Sequence, residues 1–339
     1  MPTTFVIVNH AAARARAAWA EARRLLEAAG VPFDAHEARE FGDARAQARA
    51  AVAAGYRTVA VVGGDGTLGE VVNGFFTTDG DDATSANADP TPALALLPAG
   101  TGNDFARALE GQRASLLHWV GRLIAHCHYG RDEPAPGETV ARLGGAATRR
   151  VDVLRGAFAA SREGEGARDF YCLNAVTLGV GARVAARVAA QGSLARKLSG
   201  EARFALAALP EIARWRERRV RVRVDDAEAR ELRTNLVAVV NTPFAGGGMM
   251  FSPGARVDDG LLDVVTASKL SRAALAREMT RVHAGGHVRN PRVSIERGAR
   301  VRIEPVTEGD ALLVEADGDV RGATPLELHV VPGALRVVV

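Results

Sequence analysis

The sequence predicts an α/β protein with an N-terminal parallel-sheet domain followed by a C-terminal β-rich domain. Apolar strand-like runs alternate with helix-like segments in the first part of the chain, which favours a parallel sheet covered on both faces. Short alternating segments dominate afterwards and favour antiparallel strands. A chain of 339 residues is long enough for two cores. We expect domains at 1–135 and 136–324, and final strands at 325–339 whose return to the first domain the sequence leaves open.

The N-terminal part repeats a strand-then-helix unit. Its predicted strands are apolar and often β-branched, and its predicted helices are rich in alanine and end near glycine. The expected strands are 4–8, 31–37, 58–62 and 93–97. The expected helices are 11–29, 43–54, about 67–76, one that begins near Asn103 or Asp104, and 114–128. The acidic, turn-rich segment 77–92 predicts an exposed loop.

The C-terminal part shows shorter segments of period two. The expected strands are 148–154, 170–178, 220–224, 236–241, 261–266, 325–331 and 335–339. Two helical patterns interrupt them, at 194–216 and 271–283. In 214–224, "RWRERRVRVRV", the alternation places Arg219, Arg221 and Arg223 on one strand face and valines on the other. That face is either solvated or attracted to anionic lipid headgroups.

Composition excludes several classes of protein. Hydrophobic residues make up 47% and charged residues 24%, which is an ordinary globular balance. Lys197 and Lys269 are the only lysines, so a phosphate held by a side-chain cation is expected to meet arginine. Cys127 and Cys172 indicate neither a disulfide framework nor a zinc cluster. We expect a cytoplasmic protein without an export signal or a membrane-spanning segment, and no nucleic-acid module accompanies the arginines.

Two glycine-rich turns each follow a predicted strand: "GGDGT" at 63–67 and "GTGN" at 100–103. A turn without side chains exposes backbone N–H groups, and a following helix directs its positive end to the same place, so phosphate is the expected ligand. A polyphosphate could span both turns. Neither lysine lies in a Walker loop, which excludes that class. A dinucleotide fingerprint fits the spacing at 64–69 but would put Asp65 against pyrophosphate.

Five segments in order carry a family resemblance. They are "GGDGT" at 63–67, "LPAGTGNDFAR" at 97–107, "FYCLNAVTLGVGARV" at 170–184, "NTPFAGGGMMFSPGARVDDGLLDVV" at 241–265 and "EADGDV" at 315–320. The chain resembles the diacylglycerol kinase catalytic-domain family, bacterial lipid kinases related to diacylglycerol, sphingosine and ceramide kinases. NAD kinases share GGDGT but lack the second segment. The resemblance implies an NAD-kinase/diacylglycerol-kinase-like fold with the active site in the cleft between two domains.

The resemblance also implies the cofactors ATP and Mg²⁺ and a set of nucleotide-binding residues. These are Asn9, Gly63, Gly64, Asp65, Gly66, Thr67, Gly100, Thr101, Asn103 and Asp104. The family usually opens with Asn-Pro and a glycine-bearing loop, whereas this chain has "VNHAAARAR" at 8–16, so Asn9 alone matches there.

The implied catalytic residues are three aspartates. Asp319 stands where the family usually has the glutamate that accepts the proton, with Asp65 as the alternative base. Asp317 would hold the metal or orient its neighbour. The segment "RVDDGLLD" resembles a structural Mg²⁺ site with Asp259 as carboxylate ligand and backbone oxygens of Arg256 and Leu261. An ordinary type I turn is the alternative for that segment.

The expected function is transfer of the γ-phosphoryl group of ATP to a lipid hydroxyl, diacylglycerol-like or sphingoid. The expected partners are ATP, a lipid substrate and a peripheral membrane surface, and family members often dimerise, which leaves a homodimer open. Two alternatives remain: a kinase of a soluble hydroxyl compound such as NAD, and a non-catalytic nucleotide- or lipid-binding regulator. Which lipid is phosphorylated cannot be read from the sequence.

Overall fold

A computed structural model of the chain describes residues 3–76, 91–129, 148–158, 168–191 and 200–339. It divides into two compact units, Met1–Val151 with Gly333–Val339, and Asp152–Pro332. The expected boundary at residue 135 and most of the expected loop at 77–92 lie outside the described residues. So does 192–199, which contains the start of the helix expected at 194–216.

The first unit is built from alternating strands and helices. Its strands are β1 (Thr4–Asn9), β2 (Phe33–Ala38), β3 (Thr58–Gly63) and β4 (Ala93–Pro98). Its helices are α1 (Ala13–Ala28), α2 (Asp43–Ala53), α3 (Asp65–Phe76), α4 (Asp104–Glu110) and α5 (Leu116–Tyr129). The strands lie in the order β4–β3–β1–β2 and all pairs are parallel, which confirms the expected parallel sheet.

Burial on both faces explains the composition of the central elements. Every residue of β3 is buried, as expected for a parallel strand covered by helices on each side. Helix α3 is buried over most of its surface, and a Cβ at Gly74 would lie 2.5 Å from the carbonyl oxygen of Arg45 and 2.7 Å from the Cβ of Ala48. The glycine therefore permits the close packing of α3 against α2.

The second unit is rich in antiparallel strands. In chain order these are β5 (Thr148–Phe158), β6 (Arg168–Cys172), β7 (Ala175–Gly179), β8 (Arg218–Val224), β9 (Arg230–Val240), β10 (Phe244–Ala245), β11 (Met249–Met250), β12 (Leu262–Ser268), β13 (Val293–Gly298), β14 (Arg300–Pro305), β15 (Leu313–Ala316), β16 (Asp319–Ala323) and β17 (Leu326–Val338). Its helices are α6 (Val180–Ala189), α7 (Gly200–Arg214) and α8 (Arg272–Arg281). The β-rich second half confirms the expected fold class.

The main sheet of this unit runs β16–β15–β7–β9–β8–β14–β17, and β12 pairs with β9 and β13. Valines on the inner face of β8 are buried, whereas Arg221 and Arg223 are exposed, as the period-two pattern predicts. The last residues of β17 belong to the first unit, where Val337 pairs in parallel with Leu94. The sequence pattern did not reveal α6 or the strands β13 to β16.

Candidate active site

Two backbone turns of the first unit pack directly against each other. We call Gly63–Thr67 and Gly100–Asn103 together the glycine cradle. A Cβ on Gly100 would lie 2.5 Å from the Cα of Gly64, and a Cβ on Gly64 would lie 3.0 Å from the Cα of Gly100. The backbone N–H of Ala99 also donates to the carbonyl oxygen of Gly63 at 2.8 Å. Both glycines are therefore required because the two strand-end turns touch.

The other glycines of the cradle have different surroundings. A Cβ on Gly63 would lie 2.7 Å from the Oγ1 of Thr67, one turn further along the chain. No atom lies within 4 Å of a Cβ placed on Gly66, and Gly66 is exposed at the start of α3. The backbone around Gly66 is consequently open to a ligand at the positive end of a twelve-residue helix.

Asn9 reaches the cradle from the end of β1. Its Nδ2 donates a hydrogen bond to the Oγ1 of Thr67 at 2.8 Å. Strands β1 and β3 are parallel neighbours, so their carboxyl ends meet at one edge of the sheet. The structure thus brings together Asn9 and Thr67, two residues that the sequence assigned to the same ligand.

Asp65 connects the two turns through the backbone. Its Oδ1 accepts a hydrogen bond from the N–H of Phe105 at 3.2 Å. Burial raises the pKa of Asp65, and hydrogen bonds from the N–H groups of Asp104, Phe105 and Asn103 oppose that rise. The carboxylate satisfies backbone donors at the first turn of α4, which are otherwise without helical partners. This arrangement favours a structural role for Asp65 over the alternative role of base.

Asn103 and Thr101 form the second turn of the cradle. Asn103 has a φ of 53°, its Oδ1 accepts from the N–H of Gly100 at 2.9 Å, and its Nδ2 donates to the Gly100 carbonyl at 3.2 Å. Thr101 is exposed, and the Nη1 of Arg14 lies 3.4 Å from its Oγ1. Arg14 therefore brings a cation to the cradle. Asp104 is buried at the start of α4.

A second set of acids occupies the turn between β15 and β16. We call Glu315–Asp319 the acid hairpin. Asp317 has a φ of 47° and Gly318 a φ of 99°. The Oδ2 of Asp317 accepts from the N–H of Leu173 at 2.8 Å, and its Oδ1 accepts from Asn174 and Ala175 at 3.1 and 3.3 Å.

These three contacts have two consequences. They hold the connection between β6 and β7, so the single strand expected at 170–178 is divided in two. They also engage both carboxylate oxygens of Asp317 with backbone donors. The geometry therefore favours the positioning role of Asp317 over metal ligation.

Glu315 is the buried member of the acid hairpin. It accepts a short hydrogen bond from the hydroxyl of Thr177, and the N–H of Gly318 donates to its Oε1 at 2.5 Å. Burial raises the pKa of Glu315 from 4.5 to about 7, with smaller contributions from the charges of Asp317 and Asp319. Sequence reasoning quoted this residue within "EADGDV" but gave it no role.

Asp319 is the half-exposed acid of the hairpin. The Nη2 of Arg321 lies 3.3 Å from its Oδ2. Burial raises the pKa of Asp319, and the Arg321 charge partly opposes that rise. A carboxylate with a raised pKa that still reaches solvent is a stronger base than an ordinary aspartate and suits proton transfer.

In the segment 256–261, the carboxylate that was expected to bind a cation is paired with an arginine. Asp259 pairs with Arg297, and its Oδ1 accepts from the N–H of Leu261 at 3.2 Å. The Nε of Arg256 lies 3.6 Å from the Oδ1 of Asp258. A cation at Asp259 would compete with the Arg297 guanidinium, so the geometry favours the turn alternative, and the Mg²⁺ site stays a prediction.

Comparison with known proteins agrees with this architecture. Residues 3–128 match the model of the diacylglycerol kinase catalytic domain, and residues 174–339 match that of the YegS C-terminal NAD kinase beta sandwich-like domain. A Pseudomonas aeruginosa protein named probable lipid kinase YegS-like is 31% identical over 303 residues, covering 88% of this chain and 82% of the relative. The chain belongs to the diacylglycerol kinase catalytic-domain family. The expected resemblance is confirmed.

One further relative agrees with the assignment, and a solved structure shares the fold. A Mycobacterium tuberculosis diacylglycerol kinase is 29% identical over 307 residues, which cover 91% of this chain and 82% of the relative. A crystal structure of a diacylglycerol kinase from Bacillus anthracis str. Sterne shares the fold, with a TM-score of 0.66 at 20% identity, covering 99% of this chain and 96% of that one. As a member of the diacylglycerol kinase family, the protein is a kinase.

Sequence reasoning missed two groups near the predicted residues. Arg14 lies in the segment where the chain departs from the family, and its signal is one of two arginines, Arg14 and Arg16, in the first turn of α1. Glu315 has a weaker signal, since a glutamate in a short strand is ordinarily exposed. Within the described ranges, no helix combines the length and apolar character that crossing a bilayer requires.

Proposed function

We propose that the protein is an ATP- and Mg²⁺-dependent lipid kinase that transfers the γ-phosphoryl group to the hydroxyl of a diacylglycerol-like or sphingoid lipid. The observation that carries the proposal is the glycine cradle. Its two turns are in contact, and its exposed backbone at Gly66 and Thr101 leaves room for phosphate oxygens. The lipid as acceptor is supported by the names of the family members, which are diacylglycerol and lipid kinases.

The residues present fit a nucleotide triphosphate. The positive end of α3 lies at the open position Gly66, and Asn9 holds the Thr67 hydroxyl in the first turn of the same helix. Arg14 supplies a side-chain cation, in agreement with the expectation that a phosphate meets arginine in this lysine-poor chain. When bound, Mg²⁺ would neutralise phosphate charge, held by phosphate oxygens, water and at most one or two carboxylates. No cluster of three acidic, histidine or cysteine side chains suited to a metal occurs among the described residues.

Asp319 is the proposed base. It accepts the proton of the lipid hydroxyl as that oxygen attacks the γ-phosphorus and the bond to the β-phosphate oxygen breaks. Asp317 positions the turn through its three backbone hydrogen bonds. Base assistance of this kind contributes roughly 10²–10⁴-fold.

A lipid panel with γ-labelled ATP tests the proposal. Purified protein is incubated with diacylglycerol, sphingosine, ceramide or phosphatidylglycerol in mixed micelles, and with NAD as a soluble acceptor. We expect label in an organic-phase lipid product, and its loss when Mg²⁺ is chelated. Label in a soluble product would favour the soluble-substrate alternative, and ATP binding without any product would favour a non-catalytic regulator.

Peripheral attachment to an anionic membrane is a separate part of the proposal. Arg221 and Arg223 are exposed on one face of β8, while Arg219 has partial partners in Glu231 and Asp310 at 3.7 and 3.8 Å. Charge reversal at Arg221 and Arg223 should reduce flotation with phosphatidylglycerol vesicles. Unchanged flotation would remove this surface from the proposal. The cytoplasmic location and the homodimer stay predictions.

A further inference from the structure

The second unit contains a cavity of about 590 Å³, outside the acid hairpin. It lies among α6, α7, the start of β8 and the β15–β16 pair, and most of its lining is apolar. This volume falls within the range of roughly 300–1,000 Å³ that is usual for small-molecule sites. The cavity therefore has the size and character of a binding site.

The polar part of the lining is rich in arginine. Arg183, Arg187 and Arg218 line the cavity together with one carboxylate, Glu211. The Nε of Arg183 lies 2.8 Å from the Oε2 of Glu211, and the Nη1 of Arg187 lies 3.2 Å from its Oε1. With three arginines and one carboxylate, the lining carries an excess of positive charge.

Glu211 fixes the two arginines of α6. Its side chain is only 9% exposed, whereas those of Arg183 and Arg187 are 52% and 45% exposed. Burial alone would raise the pKa of Glu211, but the hydrogen bonds and charges of the two arginines hold it below its ordinary value. The carboxylate stays ionised at neutral pH and holds both guanidinium groups at the cavity while they remain open to solvent.

Trp215 adds aromatic surface to the lining. It is 9% exposed and lines the cavity, and its Nε1 has no hydrogen-bond acceptor within the part of the chain that the structure describes. A buried indole N–H usually finds a partner, because leaving one unpaired costs about 1–3 kcal/mol. The indole nitrogen is itself buried and does not open onto the cavity, so Trp215 contributes apolar ring surface to the lining.

The cavity is separate from the acid hairpin. It reaches Leu313 and Ala323, which face each other in the β15–β16 ladder. Asp317 lies four residues from Leu313, about 13 Å along an extended strand. A ligand in the cavity would therefore contact a different set of side chains from those assigned to phosphoryl transfer.

We propose that this cavity binds an acidic amphiphile, with its carboxylate or phosphate monoester group against Arg183, Arg187 and Arg218 and its hydrocarbon chain along the apolar wall. The arginine excess selects an anionic head, and the apolar lining selects a chain in place of a free anion. The proposal does not depend on the kinase function, since none of these residues belongs to the glycine cradle or the acid hairpin.

Calorimetric titration of the full chain with four probes tests the proposal. The probes are decanoate, decyl phosphate, decanol and inorganic phosphate, each below its aggregation threshold. We expect at least one of the two acidic amphiphiles to bind, about tenfold or more tighter than decanol and than inorganic phosphate. The tighter of the two identifies the head group. Equal affinity for decanol or for inorganic phosphate, or no binding of either acid, would overturn the proposal.

Variants locate the binding site. The pair Arg183→Gln and Arg187→Gln should weaken binding of the acidic amphiphile about tenfold or more. Ala186→Phe fills the cavity without changing charge and should also abolish binding, which keeps the test valid if the arginine variant unfolds.

A matched control is present on α8. Arg277 and Arg281 flank the buried Glu278 in the same way but do not line the cavity. Replacing both by glutamine should leave binding unchanged. Wild-type affinity in a folded Ala186→Phe protein would exclude this cavity.

Discussion

The glycine cradle and the acid hairpin reach a functional geometry by opposite means. The cradle is made of backbone, with glycines where the two turns touch and at the open position Gly66. The hairpin concentrates carboxylates, and the most buried of them, Glu315, has its pKa raised to about 7. A polyanion is best met by N–H groups and a helix end, whereas a hydroxyl proton needs a carboxylate of raised basicity.

The largest expected effect distinguishes catalysis from binding at the hairpin. Asp319→Asn removes the proposed base while keeping size and polarity, so turnover should fall by about 10²–10⁴-fold with little change in ATP affinity. Phosphoryl transfer and nucleotide titration measure the two quantities. Asp226→Asn removes an exposed carboxylate of the same unit and serves as control. Turnover within a few-fold of wild type would move the base to Asp65.

Glu315 makes the stability of the protein depend on pH near neutrality. Its pKa is about 7 in the folded protein and near 4.5 when unfolded, so between these values the folded state binds more protons. Ionisation of Glu315 therefore opposes folding, and about 3 kcal/mol of stability is lost as pH rises from 4.5 through 7.

Glu315→Gln should remove that loss. The variant is expected to gain stability relative to wild type as pH rises from 5 to 8, measured by urea unfolding at each pH. The exposed Glu231→Gln is the control. Parallel pH profiles for wild type and Glu315→Gln would show that the carboxyl does not titrate in this range.

Substitutions at two glycines of the cradle distinguish a role in packing from a role in ligand binding. Gly100→Ala forces a Cβ to 2.5 Å from the Gly64 Cα, so it should destabilise the protein by about 1–3 kcal/mol. Gly66→Ala meets no protein atom and should leave stability unchanged or raise it by about 1 kcal/mol. Its methyl group would nevertheless crowd a bound phosphate and weaken ATP binding. Wild-type ATP affinity in Gly66→Ala would place the phosphates elsewhere.

The smallest expected effect concerns Arg14. Its hydrogen-bonding distance from Thr101 predicts a contact with a phosphate oxygen, so Arg14→Gln should raise the KM for ATP about three- to tenfold. The kcat should change less. Arg23→Gln removes an exposed arginine of the same helix, paired with Glu27, and serves as control. Equal KM values for the two variants would show that Arg14 does not contact nucleotide.

The sequence predicted the cradle better than the hairpin because the signals differ in range. Gly63, Gly64 and Thr67 follow a buried strand within a few residues, so local patterns placed them correctly. The three hydrogen bonds that Asp317 accepts come from residues more than 140 positions earlier in the chain. Helix α6 escaped notice because two glycines, Gly179 and Gly181, stand at its start.

By itself the sequence determined the alternation of strands and helices, the two glycine turns and the family. These depend on periodicity and on residues with unusual backbone freedom, which are properties of a short stretch of chain. Only the tertiary structure decided that Asp65 caps a helix forty residues away, that Asp259 meets Arg297, and that Glu315 is buried. The physical reason is that a carboxylate's role is set by the donors and the solvent around it, and strand register and packing bring these from distant parts of the chain.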